Sequence, residues 1–461
     1  MFELFRKLGS IKIVVVLVVM GLVLAVVFRV HTGDEGKPES IALTFNGSPQ
    51  NRMAFTWMAP DKITGTRLEV IEAAKLINAE FPKAGVQAYE GTADTTSVYR
   101  SKADKVTGRV IIQRNHKVIA DHLKPGTLYA YRAGDGQADH WSAIGTFETE
   151  SPATKAFQFL YTTDSQGTTE KDFEIWNHTL QQGMAKFPES KFILVAGDLV
   201  DNGDIEEQWS WFFNKPQGIL ANIPLVPLVG NHESSGYTNY SAHFNLPNDS
   251  NTGAKPAGSV YSLDYGPAHF MVMNTEYYGG SSDAEVAAFY KKQVEWLRRE
   301  VATSDKKWKV VFLHKSPYSV ALHTQDADVL FFRTQLTKVF DDLGIDMVIG
   351  GHDHTYSRSY QMYNNKPLTN IVPDAMGTVV NPAGTLYLLT NAAGNKRYTI
   401  ADGPFPFAAK YGQPDKEMFT GVTVTDEELS FQAYTTTLKG TTELYDQYSI
   451  RKTTLTRKGG F

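Results

Sequence analysis

Five short apolar segments of this 461-residue sequence are each followed by acidic, amide or imidazole side chains. Such segments are typical of buried strands, and glycines after three of them allow a sharp turn and a close approach of the backbone to a ligand. In open α/β sheets ligands bind at the carboxyl ends of the strands, so we expect these polar side chains to converge. The polar residues are Asp164, Gln166, Asp198, Asp201, Asn231, His232, His314, His352 and His354.

Carboxylates, amide oxygens and imidazoles together make a ligand set for hard or borderline divalent metal ions. The set fits manganese, iron or zinc, and a sequence without cysteine excludes thiolate sites, iron–sulfur clusters and a cysteine nucleophile. Two ions a few ångströms apart need a shared anionic ligand that offsets their repulsion, and Asp198 is the natural candidate. His352 and His354 flank Asp353, so one loop can serve both ions.

Two of these motifs are too rare to be explained as ordinary turns. Asp198 lies in a Gly-Asp-x-x-x-Asn segment, which by itself is usually a turn. By contrast, Gly-Asn-His-Glu ending at Glu233 and Gly-His-Asp-His ending at His354 are each expected by chance in well under ~1% of chains of this length. The ordered set after successive strands therefore favours a single functional site.

The elements that must position these residues fall into two regions. Residues 40–150 alternate short strand-like segments with Gly, Pro, Asn and Asp turns, a pattern typical of an all-β sandwich. This region has no obvious pairing of nucleophile and base, so we expect it to give support or form an interface. From residue 156 onward strands alternate with segments of helical periodicity, which predicts an α/β layered domain.

The N-terminal residues 1–31 are predicted to be a membrane anchor. An unbroken apolar run covers residues 13–28, and twenty helical residues reach about 30 Å, the thickness of a bilayer core. Basic residues before the run favour a cytoplasmic N-terminus and an exported catalytic domain. The alternative is a cleaved signal peptide, which would release a secreted protein, although its apolar part is usually shorter and precedes an Ala-x-Ala site.

The polar motifs resemble the metal-binding blocks of the calcineurin-like metallophosphoesterases. Segments 53–57 and 123–135, which read Met-Ala-Phe-Thr-Trp and Leu-Lys-Pro-Gly-Thr-Leu-Tyr-Ala-Tyr-Arg-Ala-Gly-Asp, are similar to the N-terminal fibronectin-III-like domain of purple acid phosphatases. The resemblance spans residues 38–450. It implies a four-layer α/β/β/α sandwich preceded by a fibronectin-III-like β-sandwich, with the membrane segment outside it.

The resemblance also implies a role for each residue of the site. Two divalent metal ions (manganese, iron or zinc) would be bound, and His232 would protonate the leaving oxygen. His323, nine residues after His314, would face the substrate. The implied ligands are Asp164, Asp198 and His354 for the first ion, and Asp198, Asn231, His314 and His352 for the second.

The sequence departs from the purple acid phosphatases at the first metal ion. These enzymes have Gly-Asp-x-x-Tyr, whose tyrosine binds ferric iron and gives the colour, whereas this chain has Asp201 at that position. Many other family members supply a histidine where this chain has Gln166. We therefore expect Gln166 to donate its amide oxygen, as a weaker ligand, or a water molecule to fill the place. Asp201 either rotates toward the metal or caps a turn.

Together with the resemblance, these residues predict a dinuclear-metal phosphomonoesterase, similar to acid phosphatases, that uses a metal-activated hydroxide and a histidine general acid. A phosphodiesterase or nucleotide pyrophosphatase is the first alternative, and a surface binding protein with a vestigial metal site is the second.

The expected partners are a phosphate-ester substrate and, through the N-terminal segment, a membrane; a net charge of -5 indicates no nucleic acid. The predicted domains are the anchor or signal (1–31), the β-sandwich (38–150), the phosphoesterase domain (151–452) and a basic tail (453–461).

Overall fold

The computed structural model describes residues 36–82, 84–252, 256, 258–276 and 283–453. The predicted anchor or signal over residues 1–31 lies outside these ranges, as do residues 454–461 of the predicted tail. Within the described ranges no helix combines the length and the apolar character needed to cross a bilayer.

The N-terminal region is a sandwich of two four-stranded sheets, as predicted. β1, β2, β6 and β5 form one sheet in that order, and β4, β3, β7 and β8 form the other. The ring of Phe55 lies 4.8 Å from that of Tyr131 and 5.4 Å from that of Phe147 (centroid distances), so aromatic side chains of both sheets fill the space between them. A short helix, α1 (Lys102–Thr107), joins β5 to β6. The strands are β1 (Glu39–Thr44), β2 (Met53–Pro60), β3 (Arg67–Glu72), β4 (Gln87–Glu90), β5 (Thr92–Val98), β6 (Ile111–Ala120), β7 (Leu128–Gly134) and β8 (Gly145–Glu148).

The second region contains two mixed sheets of seven strands each. The first, in spatial order, has β19 (Thr378–Val380), β24 (Thr442–Arg451), β23 (Glu428–Thr436), β22 (Glu417–Thr425), β9 (Ala156–Thr162), β10 (Ser190–Val195) and β11 (Leu225–Pro227). The second has β12 (Tyr261–Tyr265), β13 (Ala268–Val272), β14 (Trp308–Lys315), β15 (Met347–Gly351), β20 (Leu386–Leu389), β16 (Tyr356–Ser359) and β21 (Ala408–Gly412). A small hairpin pairs β17 (Met362–Tyr363) with β18 (Lys366–Pro367).

The N-terminal sandwich and the first of these sheets are continuous. β1 pairs in parallel with β11 at Thr44 and Leu225, which joins their sheets into one of eleven strands. The β-sandwich is therefore attached to the phosphoesterase region through backbone pairing, next to the strands that lead to the polar loops.

Alternation of side chains along the strands produces the predicted α/β/β/α layers. Phe192 and Leu194 of β10 face the core between the two sheets, whereas Ile193 and Val195 face the helices outside the first sheet. Phe312 of β14 meets the same inner core from the other sheet. The helices that follow α1 are α2 (Glu170–Lys186), α3 (Glu206–Asn214), α4 (Gln217–Leu220), α5 (Tyr237–His243), α6 (Asp283–Thr303), α7 (Ala327–Phe331) and α8 (Thr337–Leu343).

Candidate metal centre

All seven predicted ligand side chains meet at the carboxyl ends of β9, β10, β11, β14 and β15. Asp198 belongs to two groups of potential ligands, one with Asp164 and His354 and the other with His314 and His352. Within each group the ligand atoms lie within 4.8 Å of one another. Because Asp198 is common to both groups, the geometry agrees with a carboxylate shared by two ions.

The two amide side chains lie beside this carboxylate. Asn231 Oδ1 is 3.2 Å from His314 Nε2, which itself is 3.3 Å from Asp198 Oδ2. Gln166 Nε2 donates a hydrogen bond to the same Asp198 oxygen at 3.3 Å, and Gln166 Oε1 is buried without a partner in the described structure. The contact places Gln166 beside the shared carboxylate, and its assignment to the first ion stays a prediction.

The backbone of four of these residues is strained. Asp164, Asp198, His352 and His354 have positive φ angles of 53°, 51°, 82° and 34°. A left-handed conformation costs a residue other than glycine about 1–3 kcal/mol, and such strain concentrates at functional sites. Gly230 permits the close approach of the loops, since a Cβ atom there would lie 2.2 Å from Asp198 Oδ1.

Unpaired polar atoms show that the centre fits a metal cluster. His352 Nδ1 and both ring nitrogens of His354 are buried and have no hydrogen-bond partner among the described residues. Leaving a buried polar atom unpaired costs about 1–3 kcal/mol, a cost that coordination to a metal ion removes. The donor set of carboxylates, imidazoles and amides without a thiolate suits hard and borderline divalent ions.

The protonation of the histidines is set by burial and by the carboxylates. His314 Nδ1 donates to the carbonyl of Ala196 at 2.7 Å, which directs Nε2 at Asp198. Burial opposes the charged ring, but the carboxylate of Asp198 outweighs it and raises the pKa of His314 to about 10. Burial, with the neighbouring His314 and His323, lowers the pKa of His352 well below its usual range. A metal-bound imidazole is neutral, so the low pKa of His352 suits a ligand, whereas His314 must lose its Nε2 proton when an ion binds.

Glu233 fixes the loop that carries Asp198. Its fully buried carboxylate accepts hydrogen bonds from the backbone N–H groups of Asp198, Leu199, Val200 and Gly230, at 2.8 to 3.2 Å. These bonds tie the loops after β10 and β11 together. The Gly-Asn-His-Glu motif contained this residue, but sequence reasoning gave it no role.

The two predicted substrate-facing histidines lie at the rim of the centre. His232 donates from Nδ1 to the carbonyl of Asp201 at 2.6 Å, and its Nε2 is 3.9 Å from Asp198 Oδ2. The ring of His323 stacks on that of His352 with 4.2 Å between centroids. Each of the two side chains is 24% exposed, so both can reach a substrate.

Asp201 is engaged by other side chains rather than by the ligand cluster. Lys396 Nζ lies 2.7 Å from its Oδ1, and Asn202 Nδ2 donates to its Oδ2 at 2.7 Å. Burial opposes ionisation, yet Lys396 holds the pKa of Asp201 below its usual value. Since the contacts of the Asp201 carboxylate within the described residues are with side chains, neither its rotation toward a metal nor its capping of a turn is confirmed.

Tyr398 also lies at the rim, and no motif in the sequence pointed to it. Its ring stacks on that of His354 with 4.3 Å between centroids and meets His323 edge-on at 5.5 Å. Burial and the carboxylates of Asp164 and Asp198 raise the pKa of Tyr398 to about 12, so the phenol keeps its proton at neutral pH.

Comparison with known proteins places this arrangement in a family. Residues 157–356 match the model of the calcineurin-like phosphoesterases, and residues 38–149 match that of the purple acid phosphatase N-terminal domain. The chain belongs to the calcineurin-like metallophosphoesterases. The same comparisons show that the chain is a hydrolase of phosphate esters.

The relatives are distant in sequence. Acid phosphatase type 7 of Danio rerio is 24% identical over 389 residues, which cover 78% of this chain and 79% of that protein. Purple acid phosphatase 15 of Arabidopsis thaliana is 24% identical over 342 residues, 66% of this chain and 58% of that protein. The solved structure of purple acid phosphatase PPD1 from yellow lupin (Lupinus luteus) seeds has a TM-score of 0.73 at 16% identity, and the match covers 90% of this chain and 75% of that one. This likeness confirms the predicted metallophosphoesterase fold with its N-terminal β domain.

We expect the iron-loaded metallophosphoesterase to lack the purple colour. The colour of purple acid phosphatases requires a tyrosinate on ferric iron, and Asp201, at that position, is paired with Lys396. An absorption spectrum should show no intense visible band for the wild type, whereas Asp201→Tyr should gain one on iron loading. A visible band in the wild type would contradict the expectation, and its loss in Tyr398→Phe would identify Tyr398 as its source.

Proposed function

We propose that this metallophosphoesterase is a dinuclear-metal phosphomonoesterase of the acid phosphatase type. The observation that carries the proposal is the sharing of buried Asp198 by two groups of potential ligands, beside imidazole nitrogens that have no hydrogen-bond partner within the described ranges. The names of the relatives, acid phosphatase and purple acid phosphatase, support the same reaction.

The proposal assigns the ligands as follows. Asp164, Gln166, Asp198 and His354 hold the first ion, and Asp198, Asn231, His314 and His352 hold the second. When bound, two divalent ions supply positive charge to the phosphate oxygens and make a water molecule acidic enough to attack phosphorus near neutral pH.

His232 supplies the proton that the leaving oxygen needs. When the bond between phosphorus and that oxygen breaks, the oxygen departs with a negative charge unless a proton arrives with the bond cleavage. Nδ1 of His232 keeps its proton in the hydrogen bond to the Asp201 carbonyl, so the proton that reaches the leaving oxygen comes from Nε2 of the doubly protonated ring, which is left neutral. The second residue proposed to face the substrate is His323, whose ring stacks on that of His352.

A panel of phosphate esters tests the proposal. The full chain, freed of metal and then loaded with manganese, iron or zinc, is assayed with 4-nitrophenyl phosphate, bis(4-nitrophenyl) phosphate and pyrophosphate. We expect metal-dependent hydrolysis with the monoester as the best substrate. Faster hydrolysis of the diester or of pyrophosphate would instead indicate a phosphodiesterase or a pyrophosphatase. No hydrolysis with any metal would favour a binding protein with a vestigial site.

We also propose that the enzyme is exported and held at a membrane by residues 1–31. The apolar run over residues 13–28 supports this, as does the excess of basic residues before it. The proposed domain limits stay at 38–150 for the β-sandwich and 151–452 for the phosphoesterase domain, with 453–461 as a tail. Recovery of the intact chain in the membrane pellet after alkaline washing would support the anchor, and a shortened soluble form would support a cleaved signal.

A further inference from the structure

The turn between β5 and β6 exposes apolar side chains at one end of the N-terminal sandwich. Val106, near the end of helix α1, is 88% exposed, and Val110 and Ile112, in the segment that follows, are 52% and 54% exposed. Gly108 closes the helix with a φ of 72°, so the three side chains lie within seven residues of one another around one turn. Exposed apolar residues that occur singly are common, whereas a cluster of them indicates a contact surface.

Basic side chains accompany these apolar ones. Residues 100–114 contain five basic residues and one acidic residue, in a protein whose net charge is -5. The side chain of Arg109 is 76% exposed, and those of Lys102 and Lys105 on α1 are about half exposed. An anionic lipid surface binds such a combination, because apolar side chains enter the interface while basic ones face the headgroups. Val106, Arg109, Val110 and Ile112 together form what we term the α1 surface.

The chain that follows the proposed membrane anchor enters the sandwich at the same end. β1 and β6 are both antiparallel to β2, so they run in the same direction and begin at the same end of their sheet. Glu39 pairs with Met58, which pairs with Asn115, and Ile112 lies three residues before Asn115. With about 4.8 Å between strands and about 3.3 Å per residue, Glu39 and Ile112 are roughly 14 Å apart. Residues 32–38 can span at most about 25 Å, so this end of the sandwich stays close to the bilayer.

We propose that the α1 surface binds the anionic bilayer in which residues 1–31 are anchored. The inference rests on the proposed anchor and adds a second contact with the same membrane. A protein attached at a single point can rotate above the bilayer, whereas a second contact removes that freedom. The α1 surface therefore fixes the orientation of the enzyme on the membrane.

Contacts between α1 and the phosphoesterase region place the rim of the metal centre near that bilayer. Lys102 Nζ lies 3.7 Å from Asp201 Oδ2, and Lys105 Nζ lies 2.6 Å from Asp204 Oδ2. The carbonyl of Asp201 binds His232 at the rim of the centre. Because a helix with its side chains is about 10 Å across, a bilayer that contacts the α1 surface lies roughly one helix diameter from this loop. The proposed contact thus holds the rim of the centre near the lipid headgroups.

A fluorescent label on the α1 surface tests the inference. The sequence has no cysteine, so Val106→Cys gives a single site for an environment-sensitive nitrobenzoxadiazole label. The full chain carrying this label is placed in lipid nanodiscs of phosphatidylcholine with or without phosphatidylserine. With phosphatidylserine we expect the emission to shift to shorter wavelengths and to be quenched by spin-labelled lipid. Both effects should weaken without phosphatidylserine and at high salt, because salt screens the attraction to the headgroups.

Val380 offers a matched control for the position of the label. It is 55% exposed and lies in β19, at the opposite edge of the eleven-stranded sheet from β5. A label on Val380→Cys should therefore remain in water in every disc. Adding Arg109→Ala to the labelled Val106→Cys chain should lower the ratio of bound to free α1 surface about fivefold, the factor that one basic residue contributes near an anionic surface. No shift at position 106 in any disc, or an equal shift at positions 106 and 380, would overturn the inference.

Gel filtration of the labelled nanodiscs keeps this test separate from that of the proposed anchor. If the chain elutes with the discs while the label at position 106 remains in water, the inference is wrong and the anchor stands. A chain that separates from the discs would overturn both. Neither result depends on phosphate-ester hydrolysis, which the ester panel tests by itself.

Discussion

Replacing Asp198 with asparagine is expected to abolish phosphate-ester hydrolysis and to reduce the bound metal from two equivalents to one or none. Asp198 is almost fully buried and belongs to both groups of potential ligands. Burial alone would raise its pKa, but His314 and His232 hold the pKa of Asp198 well below its usual range, so a full negative charge lies between the two ion positions. A neutral amide of the same shape cannot offset the repulsion between two cations.

Elemental analysis of the purified Asp198→Asn variant gives the metal content, and an assay with 4-nitrophenyl phosphate gives the loss of activity. Asp353→Asn is the matched control, because this buried carboxylate accepts the backbone N–H groups of Ala321 and His323 instead of facing the ligand cluster. The control should retain both metal equivalents. Two retained equivalents and near-normal turnover in Asp198→Asn would rule out a bridging carboxylate.

His232→Ala is expected to lower turnover of an alkyl phosphate by about 10²–10⁴-fold while leaving the metal content intact. His232 lies next to Asn231, yet its ring contacts the Asp201 carbonyl at the rim of the centre instead of joining the ligand groups. The loss should be much smaller for 4-nitrophenyl phosphate, because nitrophenolate leaves readily without a proton.

His323→Ala provides the comparison, since its side chain has the same exposed fraction as that of His232. If His323 contacts the substrate but transfers no proton, its replacement by alanine should raise KM equally for both esters. Steady-state kinetics of the two variants with both substrates separates the roles. If His232→Ala slowed both esters equally, His232 would not be the general acid.

The ligand cluster was predictable from sequence because its residues are uncommon types placed at strand ends. Apolar runs at residues 192–195 and 347–349 read as buried strands, and their carboxyl ends carry Asp198 and His352. Parallel strands bring such ends to one edge of each sheet, and the packing of the two sheets then brings the end of β10 beside the end of β15. The α/β/β/α layers were predictable from the alternation of strands and helices along the sequence.

The residues at the rim of the site were not predictable from their types and their positions in the sequence. Lys396 and Tyr398 follow β20 in a segment without a motif, and Lys102 lies in a β-sandwich to which no chemistry was assigned. Lysine and tyrosine are common at surfaces, so their types carry little information. Their contacts with Asp201 and His354 depend on how the sheets pack, a tertiary outcome that the local pattern does not encode.

The joining of the β-sandwich to the phosphoesterase region was not predictable from sequence for the same reason. A single pairing of Thr44 with Leu225 joins strands separated by most of the β-sandwich and by α2 to α4. Nothing in the composition of either strand selects that partner. The contact nevertheless places the N-terminal sandwich where helix α1 reaches the loop of Asp201.

Titration of the metal-free full chain with manganese, while phosphate release from 4-nitrophenyl phosphate is recorded, tests the central claim most directly. A dinuclear centre with a shared Asp198 predicts no hydrolysis without metal and activity that rises until two equivalents per chain are bound. Hydrolysis by the metal-free chain, or full activity at one equivalent, would contradict a two-metal phosphoesterase.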